Sequence, residues 1–207
     1  MDSFRGLIDL IQKVLDVDGL IQWGGVAGVT GIIFVETGLF FGFFLPGDSL
    51  LVTAGIIAAA DKLDIRWLIA LASLAAIVGD QVGYVIGRRA GSALRQRYAR
   101  FDKHLDRAHA FYEKYGSKTI VIARFVPIVR TFVPAVAGAA QMNYRRFVTY
   151  NIAGGLLWVW GMTLAGYSVG KTIPNIKDYL HIVIVIVVVL SLLPAAYEWR
   201  KHRRASL

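Results

Sequence analysis

The sequence predicts an all-α polytopic membrane protein with two re-entrant helical hairpins in an inverted repeat, about three spanning helices and an N-terminal amphipathic helix. Three observations carry that prediction. The chain has 207 residues, of which 56% are hydrophobic and only 18% charged, so its apolar runs are long enough to enter a bilayer. Proline, glycine and charge break several of those runs into arms too short to cross it. The two halves also carry matching motifs at one fixed separation.

The elements follow in order along one membrane domain. Phe4, Leu7, Ile8, Ile11, Val14 and Leu15 recur at helical spacing, so residues 1–19 read as an amphipathic helix lying in the interface or packed on the bundle. Repeat one covers 20–88. Leu20 to Ala60 has no lysine or arginine and is interrupted by Glu36 and Asp48. Phe44-Leu45-Pro46-Gly47-Asp48 is turn chemistry, with Pro46 and Gly47 at the turn. The arm after it, Ser49 to Ala60, has 12 residues, short of a hydrocarbon core of roughly 30 Å. A re-entrant hairpin fits; a full span over 26–45 followed by a half helix is the rival. Ile65 to Gly87 reads as a span containing Asp80, and 89–118 as a basic linker bearing a surface helix. Repeat two covers 119–171. Thr119 to Gln141 is too apolar for a loop yet holds Arg124, Pro127, Arg130 and Pro134, and reads as a second hairpin turning near Pro127. Phe147 to Gly170 is a span, Tyr179 to Trp199 a third, and 200–207 a basic tail.

Ala54-Gly55 recurs as Ala137-Gly138, and Gly83-Tyr84-x-x-Gly87-Arg88 as Gly166-Tyr167-x-x-Gly170-Lys171, each 83 positions on. A hairpin plus a span puts the next hairpin on the opposite side, the plan of many secondary transporters, whose site lies near the midplane. Charge orients the model. The linker 88–118, Arg145, Arg146 and the tail hold fifteen of the 23 Lys and Arg on one side, and six lie on the other, so the first side, with the C-terminus, is expected to be cytoplasmic.

The net charge of +9 would suggest nucleic acid in a soluble protein; here basic loops meeting anionic headgroups explain it, and no nucleic-acid partner is expected. The absence of cysteine removes disulfides, thiolate metal sites and thiol nucleophiles. The four histidines show no metal spacing, His-Glu-x-x-His does not occur and no histidine lies near the arginine hairpin, so no metal, cofactor or enzymatic activity is expected.

Arg124 and Arg130 are the leading candidates for chemistry. A permanently charged guanidinium in hydrocarbon must face protein or a wet cavity, and its planar fork matches phosphate. Helix ends at a turn near Pro127 would add backbone N–H groups. The structural alternative is that the two arginines pair with Glu36 and Asp48 and tie the hairpins together. Glu36, Asp48 and Asp80 are candidates for proton coupling or ion pairing, and Asp48 alternatively for capping the helix after Gly47. Gly138 and the other glycines of the apolar runs read as close helix packing, as do Trp158 and Trp160.

Glu36, Phe44-Leu45-Pro46-Gly47-Asp48, Gly79-Asp80-x-x-Gly83-Tyr84-x-x-Gly87-Arg88, Ala123-Arg124-Phe125-x-Pro127-x-x-Arg130 and Ala137-Gly138 together resemble the bacterial DedA family, related to the eukaryotic VTT-domain lipid scramblases. The resemblance covers about residues 25–175 and has no departure at these motif positions. It implies a protein of the bacterial cytoplasmic membrane with facing re-entrant hairpins, and a flippase role returning undecaprenyl phosphate, a polyprenyl phosphate of cell-envelope synthesis, to the cytoplasmic leaflet. It also implies links to proton-motive force, cation and alkaline-pH tolerance, and resistance to cationic peptides and dyes. The family's essential acids and arginines match Glu36, Asp48, Arg124 and Arg130, and its Gly-Asp motif matches Asp80. The expected partners are an anionic lipid, protons or sodium, and the bilayer, with homo-oligomerisation open. A proton-coupled exporter of cations or drugs and a general phospholipid scramblase are the alternatives.

Overall fold

The computed structural model describes residues 17–39, 47–97 and 118–173. The expected amphipathic helix up to residue 16, the hairpin turn at Pro46 and the third span at 179–199 lie outside them. Among the described residues there are helices and turns and no strand.

Six helices follow in chain order: α1 Val17–Gly38, α2 Gly47–Ala59, α3 Ile65–Arg97, α4 Lys118–Ala123, α5 Pro127–Ala139 and α6 Tyr144–Thr172. Helix α1 is interrupted at Gly25, whose φ of 51° and ψ of −142° only glycine adopts without strain. Asp48 stands in the first turn of α2, where a negative charge meets the positive end of the helix dipole. Helices α2 and α5 end alike. Asp61 (φ 61°) and Gln141 (φ 57°) turn left-handed, and the N–H groups of Lys62 and Met142 reach back to Ile57 O and Ala137 O, closing the last turns. The next helices also begin alike. Asp64 Oδ1 accepts from Arg66 N at 2.8 Å and Trp67 N at 3.4 Å, and Asn143 Oδ1 accepts from Arg145 N at 3.1 Å and Arg146 N at 3.3 Å. Pro127 opens α5, where its missing N–H costs nothing.

Ile65–Ala93 and Tyr144–Thr172 are each 29 residues long and apolar enough to cross a membrane. Their outward faces carry Trp67, Leu74, Leu157 and Trp160, all exposed, as lipid-facing helices require. Trp160 is therefore not a packing residue. Helices α2 and α5 have 13 residues each, about 20 Å, and are too short to span. Helix α3 does not stop near Gly87 where the apolar run ends. It continues through Arg97, because Arg, Ala, Leu and Gln are good helix formers and no proline intervenes.

The chain divides into two compact units. One holds 17–29, 47–68 and 162–173; the other holds 30–39, 69–97 and 118–161. In the first, α2 packs on the second half of α6. A Cβ on Gly55 would run into Thr163 O, one on Gly166 into Val52 O, and one on Gly170 would come within 3.2 Å of Ile56 Cα. In the second, α5 packs on α3. A Cβ on Gly138 would run into Tyr84 O, one on Gly87 into Ala135 O, and one on Gly91 would come within 2.6 Å of Ala139 Cα. These seams are backbone-to-backbone approaches that only glycine permits. Gly31 and Gly161 have nothing within 4 Å, so the packing role expected for them does not apply. Behind the second seam Tyr84 stacks on Phe147 at 4.4 Å between ring centroids, and its hydroxyl donates to Met142 O at 2.5 Å.

Candidate functional site: two buried guanidinium groups

The second unit brings four candidate residues together. The final turn of α1 crosses α3 at Gly38 and Gly79. A Cβ on Gly38 would sit 3.2 Å from Gly79 Cα, and one on Gly79 would meet Thr37 Oγ1. That close crossing sets Glu36 and Asp80 on the same cavity. Arg124 follows the six-residue α4 in a tight turn, and Arg130 lies in the first turns of α5. Glu36, Asp80, Arg124 and Arg130 are all buried.

Each arginine takes a carboxylate. Arg130 Nη2 donates to Glu36 Oε1 at 2.5 Å, and Arg124 Nη1 donates to Asp80 Oδ2 at 2.7 Å. The expected pairing of both arginines with Glu36 and Asp48 therefore holds for Glu36 and fails for Arg124, whose partner is Asp80. Asp48 belongs to the other unit, half-buried in the first turn of α2. Pro127 is the first residue of α5, Gly47 the buried first residue of α2, and Gly138 the close approach on Tyr84.

The two guanidinium groups are held differently. Arg124 also donates to Asn151 Oδ1 at 2.8 Å, to Asn151 O at 3.4 Å and to Ala76 O at 3.3 Å. Asn151 is fixed in turn by its own bond from Nδ2 to Ile77 O at 3.0 Å. Gly154 and Gly155 leave room on α6 for the Arg124 side chain. Arg124 thus anchors the turn after α4 to α3 and α6. Arg130 instead leans on an aromatic face: its Cζ lies 4.6 Å from the Trp158 ring centroid, with that of Arg124 at 5.6 Å. The fully buried Trp158 is a cation–π shelf beneath both charges, not simple packing. Neither Trp158 nor Asn151 was a sequence candidate. An asparagine inside an apolar span was the available signal, since a buried amide must find partners.

Between the two pairs lies a cavity of about 10 Å³, lined among others by Glu36, Asp80, Arg130 and Thr131. That is room for about one water and not for a phosphate. The Thr131 hydroxyl is buried there and makes no hydrogen bond among the described residues. The described residues include no cluster of three or more His, Cys, Asp or Glu that could hold a metal ion.

Comparison with known proteins shows the family. A family model described as the VTT domain matches residues 45–168. The chain is 49% identical to "Protein DedA" of Escherichia coli (strain K12) over 217 aligned positions, covering 100% of this chain and 98% of that one. It is 44% identical to an uncharacterized membrane protein of Mycobacterium tuberculosis (strain ATCC 25618 / H37Rv) over 209 positions, 94% and 91% of the two chains. It is 39% identical to "Inner membrane protein YqjA" of E. coli (strain K12) over 144 positions, 68% and 66% of the two chains. No solved structure matches. With a full-length relative at that identity, and with helices of membrane-spanning length around buried charge, the chain is a membrane protein that belongs to the DedA family of VTT-domain proteins.

Proposed function

We propose that the chain is a multi-pass carrier of the bacterial cytoplasmic membrane that moves a phosphate-headed polyprenyl lipid, of the undecaprenyl phosphate type, between leaflets. The observation that carries the reading is the setting of Arg130, a buried guanidinium between the Glu36 carboxylate and the Trp158 ring. In this reading Arg124, on Asp80 and Asn151, holds the helices, and the anion on Arg130 is the one that changes. A guanidinium already stacked on Trp158 keeps its orientation while the anion changes. In this reading a lipid phosphate displaces Glu36 from Arg130 and the isoprenoid tail stays in the bilayer. Glu36 takes up a proton as it leaves, so a buried charge is never left unpaired. That is a route for proton-motive force to couple. Helices α2 and α5, at about 20 Å, suit re-entrant arms better than spans. A cavity of about 10 Å³ holds no phosphate, so loading requires the Glu36 side to open.

The runner-up, a proton-coupled cation exporter, is favoured by the two carboxylates on a water-sized cavity. It is weakened by the two guanidinium groups that already neutralise them. Reconstitution separates the two. Purified protein in liposomes should move the headgroup of a fluorescent polyprenyl phosphate from one leaflet to the other, and Arg130→Ala should abolish the movement while still inserting. Unimpaired movement by that variant removes the reading. Cation transport that survives the same substitution favours the exporter.

A further inference from the structure

The Gly87-Arg88 end of α3 has a site of its own. Arg88, Arg89, Ser92, Tyr84 and Tyr144 line a second cavity, open and about 700 Å³ in volume. Asp80 and Arg88 lie two turns apart on α3, about 12 Å at 1.5 Å per residue, so this cavity opens where the apolar run gives way to charge. The buried Tyr84 also lines it. Its walls are fixed: Tyr144 donates its hydroxyl proton to Gln81 Oε1 at 2.5 Å, Ser92 donates to Arg88 O at 2.9 Å, and Tyr84 donates to Met142 O. Those hydroxyl protons are committed, which leaves the exposed guanidinium groups of Arg88 and Arg89 as the donors facing an incoming ligand. Arg145 and Arg146 stand exposed beside Tyr144, and the described stretches 81–97 and 118–172 carry no carboxylate. The first unit offers a contrast, since its Lys171 has Asp61 within 3.8 Å.

We propose that this cavity is a docking site for a lipid headgroup that ends in a phosphate monoester, at the membrane interface. The inference goes beyond the carrier reading and does not rest on Arg130. Adjacent guanidinium forks match phosphate oxygens bidentately, and the exposed tyrosine ring of Tyr144 gives an amphipathic wall suited to the headgroup level. The cavity accepts a headgroup whole, which the water-sized one does not. A carrier loaded from this end receives its lipid here before the inner pair opens.

The test is lipid retention by the full-length, detergent-solubilised protein in native mass spectrometry, with phosphatidic acid titrated against phosphatidylcholine. Phosphatidic acid should be retained selectively, less so as ionic strength rises. Arg88→Gln with Arg89→Gln should lower its apparent affinity by roughly tenfold or more, and the Lys double substitution by less, since charge remains but the fork is lost. The same loss should be seen in an Arg130→Ala background, where the inner guanidinium is gone. Unchanged affinity in the Gln double variant, or equal retention of phosphatidylcholine, overturns the proposal. Full competition by inorganic phosphate overturns the lipid assignment and makes this a site for free phosphate. If the wild type translocates no lipid while the binding difference stands, the carrier reading falls and the docking site remains. If translocation stands without the binding difference, the reverse holds.

Discussion

The two glycine seams use the same contacts, while among the described residues the buried ion pairs, Arg124–Asp80 and Arg130–Glu36, lie in the second unit. In the first unit Gly55 meets Thr163 O and Gly166 meets Val52 O; in the second Gly138 meets Tyr84 O and Gly87 meets Ala135 O. The short arms correspond at 83 positions, Gly55 to Gly138 and Val52 to Ala135. The long helices correspond at 79, Gly87 to Gly166 and Tyr84 to Thr163, and so do the caps Asp64 and Asn143. The first repeat therefore carries one extra helical turn between its arm and its long helix. The Gly-Tyr-x-x-Gly match at 83 aligned the long helices one turn out of register. Helix α3 permits that slip because its glycines recur every fourth residue, at 79, 83, 87 and 91. The charged residues do not follow the duplication. Arg130 and Thr131 stand where the first repeat has Gly47 and Asp48, and Trp158 stands where it has Gly79. A duplicated scaffold thus carries both described arginine–carboxylate pairs in its second unit.

The sharpest contrast between the units lies in their ion pairs. Replacing Glu36 by alanine leaves Arg130 buried without its carboxylate and should cost about 3–5 kcal/mol, read as a large fall in the thermal unfolding midpoint in detergent. Next come the seams. Gly87→Ala and Gly166→Ala each push a Cβ into a carbonyl and should each cost about 1–3 kcal/mol. Gly83→Ala meets Pro134 Cβ at 3.4 Å and Thr37 O at 3.8 Å, both ordinary contacts, and should be mild. If Gly83→Ala proves as damaging as Gly166→Ala while Gly87→Ala is silent, the 83-position register governs after all and the extra turn is wrong. Trp158→Phe keeps an aromatic face but a poorer one and should cost about 1–2 kcal/mol in the same assay. Asp61→Ala, which removes the exposed partner of Lys171, should change stability by about 0–1 kcal/mol.

Much of this was legible in the sequence. Residue counts between turn signals gave arms and spans, because helix rise per residue is fixed. The cost of a guanidinium in hydrocarbon singled out Arg124 and Arg130, and Glu36 as a partner. The partner of Arg124 was not legible. Three acids were available, and choosing Asp80 depends on the Gly38–Gly79 crossing, which no one-dimensional pattern encodes. Trp158 escaped because a mid-span tryptophan has the same pattern whether it faces a cation or a methyl group. The helix end at Arg97 escaped because a fall in hydropathy was taken for a helix stop, and only proline, glycine or a cap is one.

The central claim is that the anion on Arg130 changes during the transport cycle. A density map of the protein with polyprenyl phosphate bound tests it most directly. The account predicts the lipid phosphate within hydrogen-bonding distance of the Arg130 guanidinium, Glu36 withdrawn from it, and Arg124 still on Asp80 and Asn151. A map with lipid bound elsewhere and the Glu36–Arg130 pair intact at its present 2.5 Å contradicts it.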